Sequence, residues 1–192
     1  MNSTGYTYDG AGNLLTDSTH GYVYDLENRI TCVQGTDGTC TSNTATLYLY
    51  DAAGQRVGKQ QANTLEDYVM DPQGHIASVH DGSANLLRSE VYSPDGRHVA
   101  TWAPTNPPYW DPYPGGLFYN HTDWLGTERV RTTSSGNFFQ SFTDTPYGMN
   151  LAYNPSADTS PMHFTGKQRE GNGVRNGVRS LLFFGGDSVR NV

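Results

Sequence analysis

The sequence lacks the features that identify several common protein classes. It holds no run of about 18 apolar residues of the kind that spans a bilayer, so we predict no membrane span. Its start, MNSTGYTYDG, has no charged segment followed by an apolar run, so no secretory signal is visible. Charged residues make up only 16% of the chain, and strong helix formers are scarce. These absences argue against a membrane protein and against an ordinary helical one.

Motifs of common catalytic and metal sites are also missing. The histidines form neither HxH nor HExxH, and no GxSxG nucleophile motif occurs. Calcium loops of the DxDxDG type are absent, and nothing singles out a pair of carboxylates for glycoside hydrolysis. We therefore predict no catalytic residue, no cofactor and no metal, and interpret each histidine as a surface or wall side chain. The histidines are His20, His75, His80, His98, His121 and His163.

Cysteine is nearly absent as well. Cys32 and Cys40, the only two, flank the turn-like stretch VQGTDGT. A disulfide across this hairpin is geometrically conceivable, and two free thiols on neighbouring strands fit the spacing equally. Two cysteines eight residues apart cannot close a zinc site by themselves.

Positive charge is scarce in most of the chain. The net charge is −7, and the residues before Gly166 hold 7 Lys+Arg against 17 Asp+Glu, a net −10. From Gly166 onward the counts are 5 and 2, a net +3. An acidic body does not attract phosphate backbones, so we predict no nucleic-acid partner.

The abundant residues are turn formers and aromatics. Among 192 residues there are 22 Gly, 10 Pro and 13 Tyr. Glycine and proline favour turns, and each aromatic side chain buries a large area. This composition favours a folded, turn-rich, all-β chain.

A short pattern recurs in YTYDGAGNLL, YVYDLENRI, YLYDAAGQRV and YVMDPQGHI. Each copy contains a four-residue corner that begins with Asp, Ser or Thr, whose side-chain oxygen can accept from N–H groups two residues on. The corner ends with Gly, or once Asn, because these residues tolerate positive φ. Such corners predict a type I turn followed by a left-handed residue. The predicted corners are 9–12, 25–28, 51–54, 71–74, 93–96, 123–126, 133–136 and 145–148.

The segments between the corners are predicted to be strands. Tyr-x-Tyr places both rings on one face, because side chains alternate along a strand. Later corners, with another near residue 81, follow every ten to twelve residues, which is typical of an antiparallel meander. TDSTHG, GTDG and QANT are predicted return turns. The predicted fold class is therefore all-β, with repeated β-hairpins forming a curved antiparallel sheet.

Residues 6 to 170 resemble the YD repeats of the RHS (rearrangement hotspot) family. NHTDWLGTERVRTTSSGNFFQSFTDTPYG and HFTGKQRE, which ends at Glu170, resemble the region that joins the last repeats to the family's core-associated segment. The resemblance implies a β-sheet wound into a hollow shell, as in the related teneurins. In bacteria such shells commonly enclose a C-terminal toxin that is delivered to competing cells.

The resemblance also implies partners and a location. The partners would be other YD repeats of a longer shell or an encapsulated toxin polypeptide. Full-length relatives are secreted or displayed at the cell surface, whereas the location of this piece stays unknown.

After Glu170 the sequence departs from the family pattern. GNGVRNGVRSLLFFGGDSVRNV lacks the tyrosine-rich, GRF-like and aspartate motifs that the family links to self-cleavage. We expect a YD-repeat sheet in residues 1–170 and a divergent basic tail in 171–192, either disordered or produced by a frameshift. A recombination junction, a gene fragment and a short novel tip are alternatives for this tail.

Three functions compete. We expect a structural segment of a shell, without catalysis of its own. The alternative is a carbohydrate or cell-surface binding module that uses exposed aromatics, for which the proline-rich segment Ala103–Gly116 offers Tyr109, Trp110 and Tyr113. The same segment fits a loop that packs its aromatics over the sheet. A remnant of a self-cleaving core is disfavoured, because the segment that would cleave is missing.

Overall fold

The computed structural model describes residues 5–17, 19–105, 115–144, 152–154, 162, 164–166, 169–170 and 181–182. Within these ranges the regular structure consists of strands and one 3₁₀ turn at Phe164–Gly166, and no helix is long and apolar enough to cross a membrane. The strands are β1 (Tyr6–Tyr8), β2 (Leu14–Asp17), β3 (Tyr22–Tyr24), β4 (Ile30–Val33), β5 (Thr46–Tyr50), β6 (Arg56–Gln61), β7 (Thr64–Met70), β8 (Ile76–Asp81), β9 (Leu86–Tyr92), β10 (His98–Ala103), β11 (Gly116–Thr122), β12 (Glu128–Thr133), β13 (Phe138–Thr143), β14 (Ala152–Asn154), β15 (Arg169–Glu170) and β16 (Leu181–Leu182).

The strands pair in chain order as antiparallel hairpins. β3 to β14 follow one another in one sheet, while β1–β2 and β15–β16 form separate pairs. The predicted fold class, an all-β chain of repeated hairpins in an antiparallel sheet, is confirmed. Described residues up to Asp67 belong to one compact unit, and those from Tyr68 onward belong mainly to a second. The domain boundary predicted after Glu170 stays a prediction.

The predicted corners form as expected. At corner 51–54, the N–H of Gly54 donates to the carbonyl of Asp51 (3.1 Å), and the N–H of Asp51 donates to the carbonyl of Gln55 (2.9 Å). Asp51 Oδ1 also accepts from the N–H of Ala53 (2.9 Å), and Gly54 has a φ of +80°. The same pair of backbone bonds closes corners 9–12, 25–28, 71–74, 93–96, 123–126 and 133–136. Corner 145–148 lies outside the described residues.

An eighth corner lies at 81–84, where the spacing predicts a turn. Its two backbone bonds match those of the others, since Ala84 N–H donates to Asp81 and Asp81 N–H donates to Asn85 (both 2.9 Å). Its last residue is Ala84, which adopts a φ of +63°. A side chain therefore occupies the left-handed position that glycine or asparagine fills elsewhere.

One extra residue follows the corner at a fixed offset. In the β5–β6 hairpin, Tyr50 pairs with Arg56 and Leu49 pairs with Gly58, so Val57 is a bulge. Counted from the first corner residue as zero, the bulge is at position +6. A bulge bends its strand and increases its twist. The same offset holds for Leu15, Thr31, Leu87, Val99, Arg129 and Phe139.

Because of this bulge, positions −3, −1, +5 and +8 fall on one face of the hairpin, which we term the buried face in the hairpins that begin at 9, 25, 51, 71, 93 and 123. In the four hairpins that begin at 9, 25, 51 and 71, position −3 is always tyrosine. Phenols at position −1 reach back to the preceding hairpin: Tyr24 donates to the carbonyl of Leu14 (3.0 Å), and Tyr50 donates to that of Ile30 (2.7 Å). The tyrosine pairs therefore serve wall packing, as predicted, although Tyr8 is largely exposed.

Each of the two compact units contains a further local feature that stabilises it. In the first, Cys32 and Cys40 form a disulfide with a Cα–Cα distance of 6.2 Å, so the disulfide alternative is the one that the structure shows. In the second, Tyr68, Val79 and Leu87 form a buried apolar cluster.

Candidate functional site: a buried polar cluster

Two of the hairpins replace the tyrosine layer with polar side chains. In the hairpins that begin at 93 and 123, position −3 is Glu90 and Asn120 instead of tyrosine. Position +5 is His98 and Glu128, and position +8 is Thr101 and Arg131. All six are buried, as is Arg88 beside Glu90. We call this set the buried polar cluster: Arg88, Glu90, His98, Thr101, Asn120, Glu128 and Arg131.

Strand register brings the members of the cluster together. Thr101 of β10 lies opposite Glu90 of β9, and Asn120 of β11 lies opposite Arg131 of β12. His98 lies opposite Tyr92, which shares a face of β9 with Glu90, and the bulge at Val99 sets Thr101 opposite Glu90.

Glu90 is the acceptor at one side of the cluster. Its Oε1 accepts from Arg88 Nε (3.1 Å), and its Oε2 accepts from Thr101 Oγ1 (2.7 Å) and lies 2.7 Å from His98 Nε2. Burial by itself raises the pKa of a carboxyl group. Here the hydrogen bond and charge interaction with His98, followed by the charge of Arg88, outweigh burial, so the pKa of Glu90 is lowered.

Arg131 is the donor at the other side. Its Nε donates to Glu128 Oε1 (2.8 Å) and to Asn120 Oδ1 (3.1 Å). The amide nitrogen of Asn120 lies 3.1 Å from Nδ1 and 3.3 Å from Nε2 of His98, and 3.2 Å from Thr101 Oγ1. Asn120 therefore links the arginine side of the cluster to the histidine side.

The cluster contains two buried ion pairs. Two guanidinium groups, Arg88 and Arg131, face two carboxylates, Glu90 and Glu128, and the side chains of all four are at most 4% exposed. Buried ion pairs offset their desolvation cost only when the hydrogen bonds are complete, and removal of one partner costs about 3–5 kcal/mol. This arrangement therefore specifies the register of β9 to β12 through directional bonds.

The cluster does not have the geometry of a nucleophilic site. A Thr–His–Glu relay requires the hydroxyl and the carboxylate to bond to different ring nitrogens. In this cluster Glu90 and Thr101 both contact Nε2 of His98, and the Thr101 hydroxyl donates to Glu90. Thr101 is 0% exposed, so its hydroxyl is not open to a substrate. The geometry thus supports a role in structure.

The other predicted wall or surface histidines each contact a nearby polar group. His20 lies beside Asp17, His75 bonds to Asp71 (2.9 Å), and His80 bonds to Ser78. His121 bonds to Thr132 on the surface. His163, like Tyr109, Trp110 and Tyr113, lies outside the described residues. Within the described ranges no group of three or more metal-ligating side chains occurs, and the prediction of no site residue stays a prediction.

A shallow cleft of about 330 Å³ lies in the first unit beside the disulfide. Its lining includes Thr41, Ser42, Asn43 and Gln60, and no charged side chain takes part in it. Without charged or strongly convergent groups, this cleft gives no indication of a specific ligand.

Sequence reasoning missed the cluster, although one signal was present. The repeats align on their corners, and at position −3 four tyrosines are followed by Glu90 and Asn120. At position +5 the aliphatic Leu14 and Ile30 correspond to His98 and Glu128. A comparison of equivalent positions between repeats would have identified charged residues at buried sites.

Comparisons with known proteins find structures with a similar fold. No protein-family model matches the sequence, and no curated protein sequence matches it. In contrast, 37 chains of known structure match. A crystal structure of TcdB2-TccC3 matches with a TM-score of 0.63 and 16% identity, over 93% of this chain and 9% of that one. TcdB2-TccC3 without its hypervariable C-terminal region gives the same values.

A Tc holotoxin pore from Photorhabdus luminescens also matches, with a TM-score of 0.56 and 15% identity, over 94% of this chain and 11% of that one. The chain thus spans about a tenth of the length of the structures that it matches. At such identity the likeness shows the fold alone. The resemblance to RHS repeats is supported at that level.

Proposed function

We propose that this chain is a structural segment of an RHS-type repeat shell, with no catalysis of its own. In this proposal it is part of a longer protein whose shell encloses a toxin polypeptide and helps to deliver it to competing bacteria. Its partners are the adjoining YD repeats and the enclosed polypeptide. The single observation that carries the proposal is the ribbon of corner-closed hairpins, which matches Tc toxin structures over 93% of the chain.

The nature of the described residues supports a structural role. Many of the buried side chains belong to the tyrosine layer, to the apolar cluster or to the polar cluster, where they pack against or bond to neighbouring strands. One matching structure is that of a Tc holotoxin pore, which supports the link to toxin delivery.

The test uses the complete protein that contains this segment. We expect electron microscopy to show a hollow particle, and we expect the enclosed polypeptide to resist a protease until the particle is denatured. Val79→Asp, at a fully buried position, should expose that polypeptide to the protease. Val69→Asp, at a position 51% exposed in the same unit, is the matched control and should leave it protected. A solid particle, or digestion of the polypeptide in the unmodified protein, would refute the proposal.

Export of the longer protein forms part of this proposal. The disulfide between Cys32 and Cys40 supports it, because disulfides persist mainly in oxidising compartments. Maleimide labelling of protein isolated under thiol-trapping conditions tests the point. We expect no labelling at either cysteine before reduction, and full labelling of cell-derived protein would contradict export.

A carbohydrate-binding role is the second candidate. A specific observation favours it: Trp102, Tyr119 and Phe138 lie on the same face of β10, β11 and β13 and are 42%, 43% and 59% exposed. Exposed aromatic rings on neighbouring strands can stack on sugar rings. A glycan array with the wild-type chain and with Trp102→Ala plus Tyr119→Ala tests this role. Absence of any glycan signal in the wild type ends it.

A further inference from the structure

Successive hairpins contact one another through the same positions around their corners. The phenol at position −1 donates to the backbone carbonyl at position +5 of the hairpin before it, as Tyr24 does to Leu14 (3.0 Å) and Tyr50 does to Ile30 (2.7 Å). In both pairs the earlier hairpin supplies the acceptor and the later hairpin supplies the phenol.

The side chain at position +4 of the earlier hairpin makes a second contact with the later one. The Arg29 guanidinium lies over the Tyr50 ring, 4.9 Å from its centroid, in cation–π geometry. A Cβ added at Gly54, position +3 of the same later corner, would lie 3.2 Å from Arg29 Nη1. Arg29 therefore fills the space between positions −1 and +3 of the next hairpin.

Other side chains at position +4 make equivalent contacts. The His75 ring stacks on the Tyr92 ring with 4.5 Å between centroids, and a Cβ added at Gly96 would lie 3.5 Å from His75 Nε2. The Asn13 side chain donates to the side chain of Asn28 (2.7 Å), which takes the place of glycine at position +3. Each hairpin in these pairs therefore has a receiving half, formed by positions −1 and +3.

In the hairpin that begins at 9, the receiving half is open. Tyr8, at position −1, is 58% exposed, and a Cβ added at Gly12, at position +3, would meet no heavy atom within 4 Å. Among the strands that the structure describes, β1 pairs with β2 alone. We term Tyr8, Gly12 and the other edge of β1 the receiving surface.

The chemistry of the receiving surface defines what fits it. A strand edge offers N–H and C=O groups to which another strand can add. The Tyr8 phenol can donate to a backbone carbonyl, and its ring together with the space at Gly12 can accommodate a planar side chain. Positions +5 and +4 of a corner-closed hairpin supply this carbonyl and this side chain together, as they do between the other hairpins.

We propose that the receiving surface binds a second corner-closed hairpin, which presents Arg, His or Asn at its position +4 and its backbone carbonyl at position +5. The second strand of that hairpin adds antiparallel to β1. This inference rests on the proposed function in one respect, since it takes the occupant to be an adjoining repeat of the longer protein. It adds the residues through which the two repeats join.

The first test uses the chain by itself. Tyr50→Phe removes the phenol that donates to Ile30 and should raise the equilibrium constant for unfolding in urea about fivefold, the usual effect of one hydrogen bond. Tyr8→Phe makes the same change at the same position of the open hairpin and should leave that constant unchanged. Equal losses would show that Tyr8 already has a partner within the chain, and the proposal would fail.

The second test identifies the occupant in the complete protein. The photoreactive residue p-benzoylphenylalanine replaces Tyr8, and in a matched control it replaces Thr7, whose side chain lies on the opposite face of β1. After illumination, mass spectrometry should find position 8 joined to a peptide that contains another corner, within one or two residues of its position +4. Position 7 should not join to that peptide.

The outcome of cross-linking is separate from the outcome for the proposed function. A cross-link from position 8 to the enclosed polypeptide, to a second molecule or to no peptide would overturn this proposal, even in a hollow particle that protects its contents. A cross-link to another corner in a protein that forms no hollow particle would support this proposal and refute the proposed function.

Discussion

At corner 133–136 the free-energy cost of a left-handed backbone conformation can be measured without a steric clash. Gly136 has a φ of +81°, and a Cβ added there meets no heavy atom within 4 Å. Gly136→Ala therefore introduces backbone strain without a clash. The left-handed conformation costs a non-glycine residue about 1–2 kcal/mol, while the loss of glycine's freedom in the unfolded chain returns about 0.4–1 kcal/mol. We expect a net loss of about 1 kcal/mol, or about 2–4 °C in Tm for a chain of this size.

Two further variants complete this experiment. Gly10→Ala is the matched control, because its Cβ also meets nothing within 4 Å but its φ is not in the left-handed range. It should be neutral or slightly stabilising. Ala84→Gly is the reciprocal change, since Ala84 occupies the left-handed position of its corner at a φ of +63°, and it should stabilise the chain by up to about 1 kcal/mol.

Urea unfolding with a common m-value measures all three variants. If Gly136→Ala proves as stable as Gly10→Ala, the corners do not require a left-handed residue, and the interpretation of the whole repeat is wrong.

Three other perturbations follow from the described contacts. Glu90→Leu removes the buried carboxylate that bonds to Arg88 and His98 and should cost about 3–5 kcal/mol in urea unfolding, whereas Glu66→Leu, at a half-buried pair with Lys59 (3.6 Å), should cost no more than about 1 kcal/mol. Equal losses would contradict the burial argument. Reduction of the disulfide opens a nine-residue loop and, on the chain-entropy model, should lower the free energy of unfolding by about 2.5 kcal/mol. An unchanged urea midpoint after reduction would contradict a stabilising disulfide between Cys32 and Cys40. Hydrogen bonds from the Asn85 side chain, and then from its backbone N–H, lower the pKa of Asp81 below its ordinary value. The stability that this corner gains is therefore fully present above about pH 4 and is lost as the pH falls through the folded-state pKa. Asp81→Asn should reduce the dependence of Tm on pH between 5 and 2, and an unaltered pH profile would disprove the link.

Local signals allowed most of the fold to be predicted. A corner is specified within four or five residues by its first side-chain oxygen and its last glycine, so seven corners were found from the sequence and match the described backbone. The alternation of side chains along a strand predicted that both tyrosines of a pair lie on one face. Ala84 shows the limit of such signals, since no propensity selects alanine for positive φ, and this corner forms because β8 and β9 pair on either side of it.

The buried polar cluster could not be predicted by the same reasoning. Thr101 and Glu90 are 11 residues apart, and simple alternation across the corner does not place them on one face. The bulge at Val99 shifts the register by one residue and brings them together. The disulfide was likewise undecided, because the spacing of Cys32 and Cys40 fits either redox state. Long-range partners of this kind depend on pairing that only the assembled sheet shows.

Because the bulge keeps a fixed offset from its corner, the repeats vary in length only at the ends of the strands away from the corner. Six corners, at 9, 25, 51, 71, 93 and 123, keep the same spacing to their buried side chains, yet they are separated by between 16 and 30 residues. That difference is absorbed at the opposite ends of the strands, where connections such as the loop 34–45 join one hairpin to the next. Foreign peptides, tags or labels should therefore be tolerated at that loop, whereas a single residue added between a corner and its bulge would turn the side chain at position +8 away from the buried face.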